Sequence, residues 1–427
     1  MADDAGRGRG FRHASLEERR RLIADRTAGE NSIDQCAPLG TDTSMVELAD
    51  LMVESAVGYL AVPLGIASGF VIDGRSYDVP MATEEPSVIA AATYAARRVA
   101  ACGGFSIETG ETITSGQIFL EQCDPDARAR LEQATHKLSD AAGEMLVSMT
   151  KRGGGWRGYR VEERGDKTIR VQFDIDVRDA MGANLVNTVG EKLRPVVESI
   201  SGGRCLLAIL TNASSHRVTT ARCAVPVRLL ARGGVAGDEA ARRIACAARI
   251  AQEDPERAVT HNKGIMNGIS ALALATGNDT RASEAAAHAY AARSGQYLGL
   301  STHTVENGSL VCSLTMPIAL GTVGGATTIH PTCRMALRLL GSPSARVLAG
   351  IAAAVGLAQN IAALHALVTE GIQRGHMGLH ARRTAYLAGA RGNEINEVVA
   401  RMRSEERFDS ASAVHYLNEI NSGEATK

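Results

Sequence analysis

The stretch from residue 261 to residue 293 constrains the fold of this chain more than any other. It opens on Asn262-Lys263-Gly264, continues through a mostly apolar run at residues 269–275, and breaks at Thr276-Gly277-Asn278-Asp279. Glycine beside asparagine is typical of a tight turn. A helix rich in small residues is predicted next, because alanines recur at helical spacing at positions 282, 285, 286 and 289. A lysine and an aspartate therefore lie at the two ends of a segment that is expected to be buried.

These two charged residues allow two interpretations. A lysine held beside an opposite charge in a partly dry site can stabilise an oxyanion or take part in a proton network. Alternatively, Lys263 and Asp279 form a structural ion pair. The local pattern does not decide between the two.

Composition excludes several classes of protein. The chain has 427 residues, 45% of them hydrophobic, and a net charge of -1. These values predict a globular protein of two or three domains with no general attraction to nucleic acid or membranes. No apolar run reaches the roughly 18 residues of a membrane span, and the N-terminus lacks a signal-peptide core. We therefore expect a cytoplasmic protein.

The cysteines and histidines do not predict a metal site. The eight cysteines include no CxxC pair and the eleven histidines no HExxH motif, which favours reduced, mostly buried thiols and no metal. His376 and His380 are four residues apart but have no third ligand nearby. Because aromatic residues make up only 4% of the chain, the core must rest on small aliphatic side chains.

Residues 112–218 predict a compact inserted domain. Strands are expected near residues 113–120, 159–163, 167–176 and 205–211, and helices over 124–151 and 183–200. This β-α-β-β-α-β order is the ferredoxin-like pattern. The second helix opens on Asp179-Ala180-Met181-Gly182-Ala183-Asn184. Gly182 either forms an ordinary turn or lets a pyrophosphate approach the helix N-terminus.

Three further segments carry charged residues in unusual places. Glu84-Glu85-Pro86-Ser87 precedes a helix, so its carboxylates either cap that helix or include a buried proton donor. Gly153-Gly154-Gly155 is flanked by arginines that could hold a phosphate. Gly375-His376-Met377 lies in a glycine-rich tail that is either a surface helix or a segment that closes over a site. Near the N-terminus, Ser15 and Glu18 predict a capping box for a basic helix. The Arg19-Arg20-Arg21 run of that helix is expected to be a solvated face, with contact to a phosphate-bearing ligand as the alternative.

Four of these segments together resemble the 3-hydroxy-3-methylglutaryl-CoA reductase family: Glu84-Glu85-Pro86-Ser87, Asp179 to Asn184, His261-Asn262-Lys263-Gly264 with Gly277-Asn278-Asp279, and Gly375-His376-Met377. The resemblance covers nearly the whole chain and is nearest to the soluble bacterial class II branch. It implies an α+β fold with a large domain (1–111 and 219–370) around a central buried helix. It also implies a ferredoxin-like dinucleotide-binding domain (112–218) and a mobile helical flap (371–427).

The resemblance implies a four-electron reduction of (S)-3-hydroxy-3-methylglutaryl-CoA to (R)-mevalonate and CoA, with two NAD(P)H, through a mevaldyl-CoA hemithioacetal and mevaldehyde. Lys263 would stabilise the oxyanion. Glu85 would donate a proton in the aldehyde step, and Asp279 would hydrogen-bond within the Lys263–Glu85 network. His376 would protonate the departing thiolate.

The same resemblance assigns binding residues and an assembly. Ser87, Arg257 and Asn267 would contact the hydroxymethylglutaryl group, and Arg12 a phosphate of CoA. The dinucleotide would be lined by Asp179, Met181, Gly182, Ala183, Asn184, Asn212, Arg157 and Gly158. A homodimer or a trimer of dimers is expected, with the active site at the dimer interface.

Two positions depart from the family pattern. Ser55 replaces an asparagine in Glu54-Ser55-Ala56-Val57-Gly58. Gly158 stands where NADH-preferring relatives carry an aspartate for the ribose 2′-hydroxyl, so NADPH is favoured over NADH. The same residues would also serve the reverse reaction, mevalonate catabolism with NAD. A non-catalytic CoA-binding paralogue is the other alternative, which the presence of Glu85, Lys263, Asp279 and His376 disfavours.

Overall fold

The computed structural model describes residues 11–27, 39–165 and 167–422, and the side chains of residues 26, 27 and 372–379 lie outside that description. The strands in these residues are β1 (Leu64–Ile72), β2 (Arg75–Ala82), β3 (Ser106–Thr109), β4 (Ile113–Glu121), β5 (Gly155–Glu163), β6 (Ile169–Asp176), β7 (Arg204–Leu210), β8 (Val218–Pro226), β9 (Ser301–Glu306) and β10 (Ser309–Pro317).

The helices of the same residues begin with α1 (Leu16–Thr27), α2 (Thr43–Met52), α3 (Val88–Ala100), α4 (Ala127–Glu132), α5 (Thr135–Thr150), α6 (Ala183–Ser201), α7 (Gly237–Ile250) and α8 (Pro255–Ala275). They continue with α9 (Thr280–Ala291), α10 (Ala326–Ile329), α11 (Pro331–Leu339), α12 (Ala345–Val368), α13 (Ile372–Leu387), α14 (Asn393–Ser404) and α15 (Ser410–Ser422). The mixed α and β architecture confirms the predicted fold class.

The largest core surrounds α12. This helix packs against α3, α7 and α8, and against an antiparallel sheet in the order β3-β8-β10-β9. By length and composition α12 could cross a membrane, which the sequence did not predict. However, 89% of its most apolar window is buried inside the protein, so its apolar surface is already covered by the core. Small residues such as Gly356 permit this packing, because a Cβ there would lie 2.7 Å from the Ile269 side chain.

A second antiparallel sheet has the order β5-β6-β4-β7 and carries α5 and α6. Its elements follow the predicted β-α-β-β-α-β order. However, the prediction of one continuous helix over residues 124–151 is wrong. The chain breaks at Gln133 and Ala134 into α4 and α5, since both residues adopt the geometry of a helix end. The chain enters this sheet after β3 and leaves it before β8. These strands pair at Thr109 and Thr219, so the two crossings lie side by side.

The N-terminal helix α1 begins with the capping box that its sequence predicts. The Ser15 N–H donates to Glu18 Oε2 at 2.7 Å, and the Glu18 N–H donates to Ser15 Oγ at 3.2 Å. The solvated face expected for the arginine run is wrong for two of its members. Arg19 is buried and paired with Asp50, and Arg20 donates to the Val57 and Gly40 carbonyls. Long-range partners decide this, and no local pattern encodes them.

Helices α13, α14 and α15 form a third hydrophobic cluster. It includes Ala385, Val398, Met402, Tyr416 and Leu417 and is separate from the cores around α12 and around the second sheet. The predicted flap therefore has a small core of its own. Gly371, with φ of +82°, connects this cluster to the end of α12.

Candidate active site

Helix α8 carries three of the predicted site residues. Its start is fixed by Asp254, whose carboxylate accepts the N–H groups of Glu256 and Arg257 at 2.9 and 3.3 Å, and by Pro255 in the first turn. Lys263 is exposed, while Asn267 and Arg257 are half-buried. Lys263 and Asn267 are one turn apart on the same face. The structure thus brings the three side chains to one helix, with Lys263 and Asn267 directed away from the core.

A buried polar network lies on the opposite side of α8. His261 Nε2 contacts Ser301 Oγ at 2.6 Å, and Asn360 Oδ1 accepts hydrogen bonds from Ser301 Oγ at 2.8 Å and from His303 Nε2 at 2.7 Å. Burial lowers the pKa of His261 to about 3 and that of His303 to about 4. Both imidazoles are therefore neutral at pH 7. Next to His261, the Asn262 amide bonds to the Leu298 carbonyl and the Leu300 N–H, both at 2.9 Å. The network anchors α8 directly behind Lys263.

The Glu85 turn lies between β2 and α3, and both of these elements pack against α8. Glu84 and Glu85 are exposed, and the Glu85 N–H donates to Thr83 Oγ1 at 3.2 Å. The N-cap position of α3 is occupied by Ser87, with φ of +76°. In the described part of the chain neither glutamate carboxylate bonds to the first turn of α3, so helix capping does not account for them.

The Asp279 carboxylate caps α9, where it accepts the Ala282 N–H at 3.0 Å. The Asn278 N–H bonds to the Ala273 carbonyl, so this turn lies beside the last turn of α8. Ten residues of helix separate Ala273 from Lys263, a distance of about 15 Å along the axis. Among the described residues Lys263 has no ion-pair partner, and a structural Lys263–Asp279 pair is not observed. The four-residue catalytic network stays a prediction.

One hydrogen bond connects the Asp279 turn to the predicted dinucleotide loop. Asn278 Oδ1 accepts the Gly321 N–H at 2.7 Å. Gly321 in turn lies directly against the loop, because a Cβ at this position would be 2.5 Å from the Met181 backbone nitrogen. Thr322 reinforces the contact by donating its N–H to the Asp179 carbonyl at 2.8 Å. Two segments that are a hundred residues apart in sequence therefore meet through residues 321–322.

The predicted dinucleotide loop, residues 179–184, is itself tightly held. The Asp179 carboxylate accepts the Ala345 N–H at 2.8 Å and so caps the N-terminus of α12. Thr114 Oγ1 donates to the Met181 carbonyl at 3.0 Å. Gly182 has φ of +99°, and a Cβ there would come within 2.7 Å of the Val177 side chain, so only glycine fits. Ala183 and Asn184 open α6, with Asn184 exposed. The loop is a rigid turn at a helix N-terminus, the arrangement that suits an anion.

Arg217 braces the same loop from the core side. This residue is 4% exposed and donates to the backbone carbonyls of Ala180, Thr112 and Leu320 at 3.1, 3.4 and 3.5 Å. Burial lowers its pKa to about 10, although the negative charge of Asp176 opposes the shift. It therefore remains a cation and fixes the point where the second sheet joins the α12 core.

The remaining predicted residues are more exposed. Asn212 lies in the turn after β7, and Arg12 in a short 3-10 turn at residues 11–13; both side chains are exposed. Gly158 has φ of +133° and sits at a bulge opposite Asp174. The side chain of His376 lies outside the described residues, although its backbone belongs to α13.

Ser55, the departure from the family pattern, has φ of +60°. Asparagine tolerates this left-handed conformation better than serine. The replacement therefore places a less suited residue at a strained position.

Several bracing residues were missed at the level of the sequence: Asp176, Arg178, Arg217, Asn278 and Gly321. A weak signal existed for Asp176, because Asp174 and Asp176 alternate within an apolar strand and so share one face. Nothing local marks Arg217 or Arg178. In the described part of the chain, no group of three His, Cys, Asp or Glu residues is close enough to hold a metal ion.

Comparison with known proteins defines the class. Residues 15–381 match the family described as hydroxymethylglutaryl-coenzyme A reductase. The 3-hydroxy-3-methylglutaryl-coenzyme A reductase of Archaeoglobus fulgidus is 43% identical over 396 residues, which cover 91% of this chain and 89% of that protein. A probable reductase of Borreliella burgdorferi is 35% identical over 345 residues, 80% of this chain and 79% of that protein.

Solved structures agree. The reductase from Streptococcus pneumoniae superposes with a TM-score of 0.75 at 40% identity, covering 96% of this chain and 99% of that chain. A second structure of the class II enzyme from that organism, bound to NADPH in open conformations, gives a TM-score of 0.75 at 41% identity, with 96% and 100% coverage. The protein is thus an oxidoreductase of mixed α and β architecture. It belongs to the hydroxymethylglutaryl-coenzyme A reductase family, which confirms the resemblance to the class II branch.

Proposed function

We propose that this protein reduces (S)-3-hydroxy-3-methylglutaryl-CoA to (R)-mevalonate and CoA, by way of a mevaldyl-CoA hemithioacetal and mevaldehyde. The observation that carries the proposal is the placement of Lys263, Asn267 and Arg257 on one helix whose flanking elements, β2 and α3, bracket Glu85. The family match over residues 15–381 supports the same reaction.

Each residue has one task in this proposal. When bound, NAD(P)H supplies two hydrides in succession. Lys263 stabilises the negative charge that develops on the substrate carbonyl oxygen in both reductions. Glu85 donates a proton to the aldehyde oxygen, general acid help worth roughly 10²–10⁴-fold in rate. Asp279 completes the network with Lys263 and Glu85, and such a cluster titrates as a unit. His376 protonates the departing CoA thiolate.

Substrate groups are held by the neighbouring side chains. Arg257 pairs with the free carboxylate of the hydroxymethylglutaryl group, a bidentate contact that suits a guanidinium. Ser87 and Asn267 bond to its remaining oxygens, and Arg12 contacts a phosphate of CoA.

NADPH is the preferred reductant in this proposal, with NADH as the weaker alternative. The Streptococcus pneumoniae enzyme bound to NADPH supports this choice. The rigid loop at residues 179–184 suits the pyrophosphate, with Asn212 on the nicotinamide dinucleotide as well. Gly158 places no carboxylate to repel a 2′-phosphate, and Arg157 lies beside it.

A homodimer, or a trimer of dimers, would complete the site. The face of α8 that carries Lys263 also exposes Val259 by 53% and Leu274 by 45%, and large exposed apolar side chains of this kind mark interaction surfaces. A partner chain would also supply the contact between Lys263 and a carboxylate that is absent among the described residues of one chain. A catalytically active monomer in sedimentation analysis would contradict this assembly.

The domain division into 1–111 with 219–370, 112–218, and 371–427 is likewise a proposal. Its support is the pairing of β3 with β8 at the two crossings and the three separate hydrophobic clusters.

A steady-state assay tests the reaction directly. The purified chain should oxidise about two NADPH per hydroxymethylglutaryl-CoA consumed, because the reduction transfers four electrons. Lys263→Ala should remove turnover while leaving the circular dichroism spectrum unchanged. Lys192→Ala, a matched control, removes a surface lysine that pairs with Glu144 at 2.8 Å and should keep full activity. Unchanged turnover in Lys263→Ala would refute the assignment of this residue.

A further inference from the structure

Ser270 lies on the face of α8 that carries Lys263 and Asn267. The three residues follow one another at i, i+4 and i+7, the spacing of one helix face. The Ser270 hydroxyl donates to Glu284 Oε1 at 2.5 Å, and Glu284 belongs to α9. A serine on the proposed catalytic face is therefore hydrogen-bonded to a carboxylate of the neighbouring helix.

The Glu284 carboxylate is also close to a histidine one turn further along α9. Its Oε2 lies 3.3 Å from His288 Nε2, and His288 Nδ1 is 2.7 Å from the Tyr297 hydroxyl. The phenol ring stacks on the imidazole with the ring centroids 5.9 Å apart. Hydroxyl, carboxylate and imidazole groups can each accept and release a proton. These four side chains thus form a series of proton-exchanging groups that begins at Ser270 and ends at His288 and Tyr297.

The position of His288 suits both protonation states of its imidazole. The neutral ring can hold its proton on Nε2, beside the carboxylate, and accept the Tyr297 O–H at Nδ1. When both nitrogens are protonated, Nε2 still faces Glu284, and Nδ1 donates to the phenol oxygen. The buried His261 and His303 differ, because Nδ1 of each has no hydrogen-bond partner in the described part of the chain. Since 44% of its side chain is exposed, His288 can also exchange protons with water.

The carboxylate in this series is not neutralised by a basic side chain. In the described part of the chain, Glu284 has no lysine or arginine partner, and His288 is its single ion-pair partner. The titratable groups in contact with His288 are Glu284 and Tyr297. Helix α8 contacts the series through Ser270, and β10, the strand packed on α9, carries no titratable side chain other than Cys312. The charge of Glu284 therefore acts on the imidazole on one side and on the serine on the other.

A second histidine–glutamate pair provides a contrast. His415 Nε2 lies 3.2 Å from Glu419 Oε1 in α15, at the same four-residue spacing. The Glu419 carboxylate also accepts Arg401 Nη1 at 2.7 Å, so a fixed cation neutralises it. Helix α15 belongs to the separate cluster of α13–α15. The second pair is therefore a surface ion pair with no connection to α8.

Ser270 lies between the two charged ends of the proposed network. Lys263 precedes it by seven residues, about 10 Å along the helix axis. Ala273 follows it by three residues, and the Ala273 carbonyl accepts the N–H of Asn278, the residue before Asp279. The inner end of the series is therefore located beside the groups that are proposed to transfer protons.

The proposed reaction consumes two protons for each mevalonate formed. The two hydrides bring the four electrons, and the protons come from Glu85 on the aldehyde oxygen and from His376 on the thiolate. Both donors must regain a proton from solvent before the next turnover. The proposed flap and partner chain would cover this face during the reaction and exclude water from it. A route for protons through side chains would then be needed.

We propose that His288, Glu284 and Ser270 form the path by which solvent protons reach the acid network of the active site. His288 takes up a solvent proton at Nδ1, and its Nε2–H passes to Glu284. The carboxyl group then protonates the Ser270 oxygen, while the hydroxyl proton leaves towards the network. Each step moves one proton and no electrons, and exchange with water at the exposed ring restores the first tautomer. The inference rests on the proposed function and adds three residues that act through the catalytic groups.

The test measures kcat and KM of the full-length enzyme for hydroxymethylglutaryl-CoA and NADPH in dilute buffer. Glu284→Gln keeps an acceptor for the Ser270 hydroxyl but cannot carry a proton. Its kcat should fall about tenfold, less than the 10²–10⁴-fold expected for loss of a general acid itself, because the donors still recharge slowly from water. Both KM values should stay unchanged. A merely structural role of Glu284 would leave this variant fully active.

His288→Ala should lower kcat to the same extent. Added imidazole should restore the rate of this variant, because the soluble base can carry protons to Glu284, and it should not restore Glu284→Gln. His415→Ala is the matched control, since it removes the histidine of the second pair, and it should keep the parent kcat with and without imidazole. Thermal unfolding verifies that each variant is folded.

The outcomes separate the path from the proposed reaction. A parent enzyme without hydroxymethylglutaryl-CoA turnover would overturn the reaction and the path with it. An active parent whose Glu284→Gln and His288→Ala variants keep the full rate would overturn the path alone. A loss of rate in His288→Ala that imidazole does not restore would also overturn it, because the histidine would then only support α9.

Discussion

Asn278 Oδ1 and the Gly321 N–H form a 2.7 Å hydrogen bond that connects the turn before Asp279 to the segment packed on Met181. The Asn278 amide nitrogen also donates to Thr276 Oγ1 at 3.0 Å, which fixes the orientation of the amide. The proposed catalytic acid network and the proposed cofactor loop therefore share one support within a single chain. A displacement of either one moves the other.

Asn278→Ala should weaken both sites together. The Gly321 N–H loses its acceptor, which costs about 1–3 kcal/mol of unfolding free energy, and we expect KM for NADPH to rise. Asn278→Asp retains the acceptor but adds a charge beside Asp279, so it should preserve KM and shift the pH profile of kcat. Urea unfolding and steady-state kinetics measure these effects, with Asn421→Ala, exposed in α15, as the control. Identical behaviour of the two Asn278 variants would contradict the proposed support.

Gly321→Ala should be poorly tolerated. Its Cβ would lie 2.5 Å from the Met181 nitrogen, so the loop must move, and overpacking of this kind costs about 1–3 kcal/mol. Gly143→Ala is the matched control, because nothing lies within 4 Å of a Cβ there. In the middle of α5 that change should instead stabilise the protein by about 0.5–1 kcal/mol. Thermal unfolding distinguishes the two, and equal melting temperatures would be inconsistent with the close contact.

Arg217→Met should destabilise the junction between the two sheets. Methionine fills much of the space but donates no hydrogen bond, so the carbonyls of Ala180, Thr112 and Leu320 lose a shared donor. We expect a loss of about 2 kcal/mol or more, since each unsatisfied buried polar group costs about 1–3 kcal/mol. The Thr112 carbonyl contributes less than the other two, because it also accepts the Val177 N–H at 2.9 Å. The exposed Arg204→Met is the control. Urea unfolding measures the difference, and a loss below about 1 kcal/mol would show that water replaces the guanidinium.

Stability should fall as the solution is acidified below the ordinary histidine pKa of 6.5. Folding lowers the pKa of His261 to about 3 and that of His303 to about 4 through burial, and burial shifts His365 in the same direction. Below pH 6.5 the unfolded chain therefore binds protons that the folded chain does not. The stability that these neutral histidines confer is complete above pH 6.5 and is lost progressively towards pH 4.

His261 and His303 should each contribute a slope that approaches about 1.4 kcal/mol per pH unit below pH 6.5. Urea unfolding between pH 7 and pH 5 measures it. His303→Gln should lower this slope by the contribution of one histidine. His136→Gln, at an exposed position, should leave the slope unchanged. A stability curve that is flat over this range would show that the imidazoles remain hydrated.

The local elements of the second sheet were readable from the sequence. The strands near 113–120 and 167–176 and the helix at 183–200 match β4, β6 and α6 closely, because alternation and helical periodicity report which face of each element is buried. Local chemistry also predicted the Ser15–Glu18 capping box. The prediction of a single helix over residues 124–151 was wrong. The composition of this segment favours helix throughout, whereas the break at residues 133–134 depends on how α4 and α5 pack.

The charged residues also fall into two groups, those that the sequence predicted and those whose partners only the structure revealed. The segments around Glu85, Lys263, Asp279 and residues 179–184 were found because their residue types and spacing are specific to a family. That Asp179 caps α12 was not predictable, because its partner Ala345 lies 166 residues away. The contact of Arg157 and Arg178 with the same carboxylate, that of Asp176, was likewise not predictable from the sequence.

The sequence by itself determined the family, the order of the elements and the segments that carry the chemistry. These depend on short-range preferences and residue identity. Only the tertiary structure decided which groups share a support: Asn278 with Gly321, Arg217 with the loop at residues 179–184, and Asp176 with two arginines. The physical reason is that a hydrogen bond or ion pair depends on distance in space, which packing of distant segments sets and local pattern does not encode.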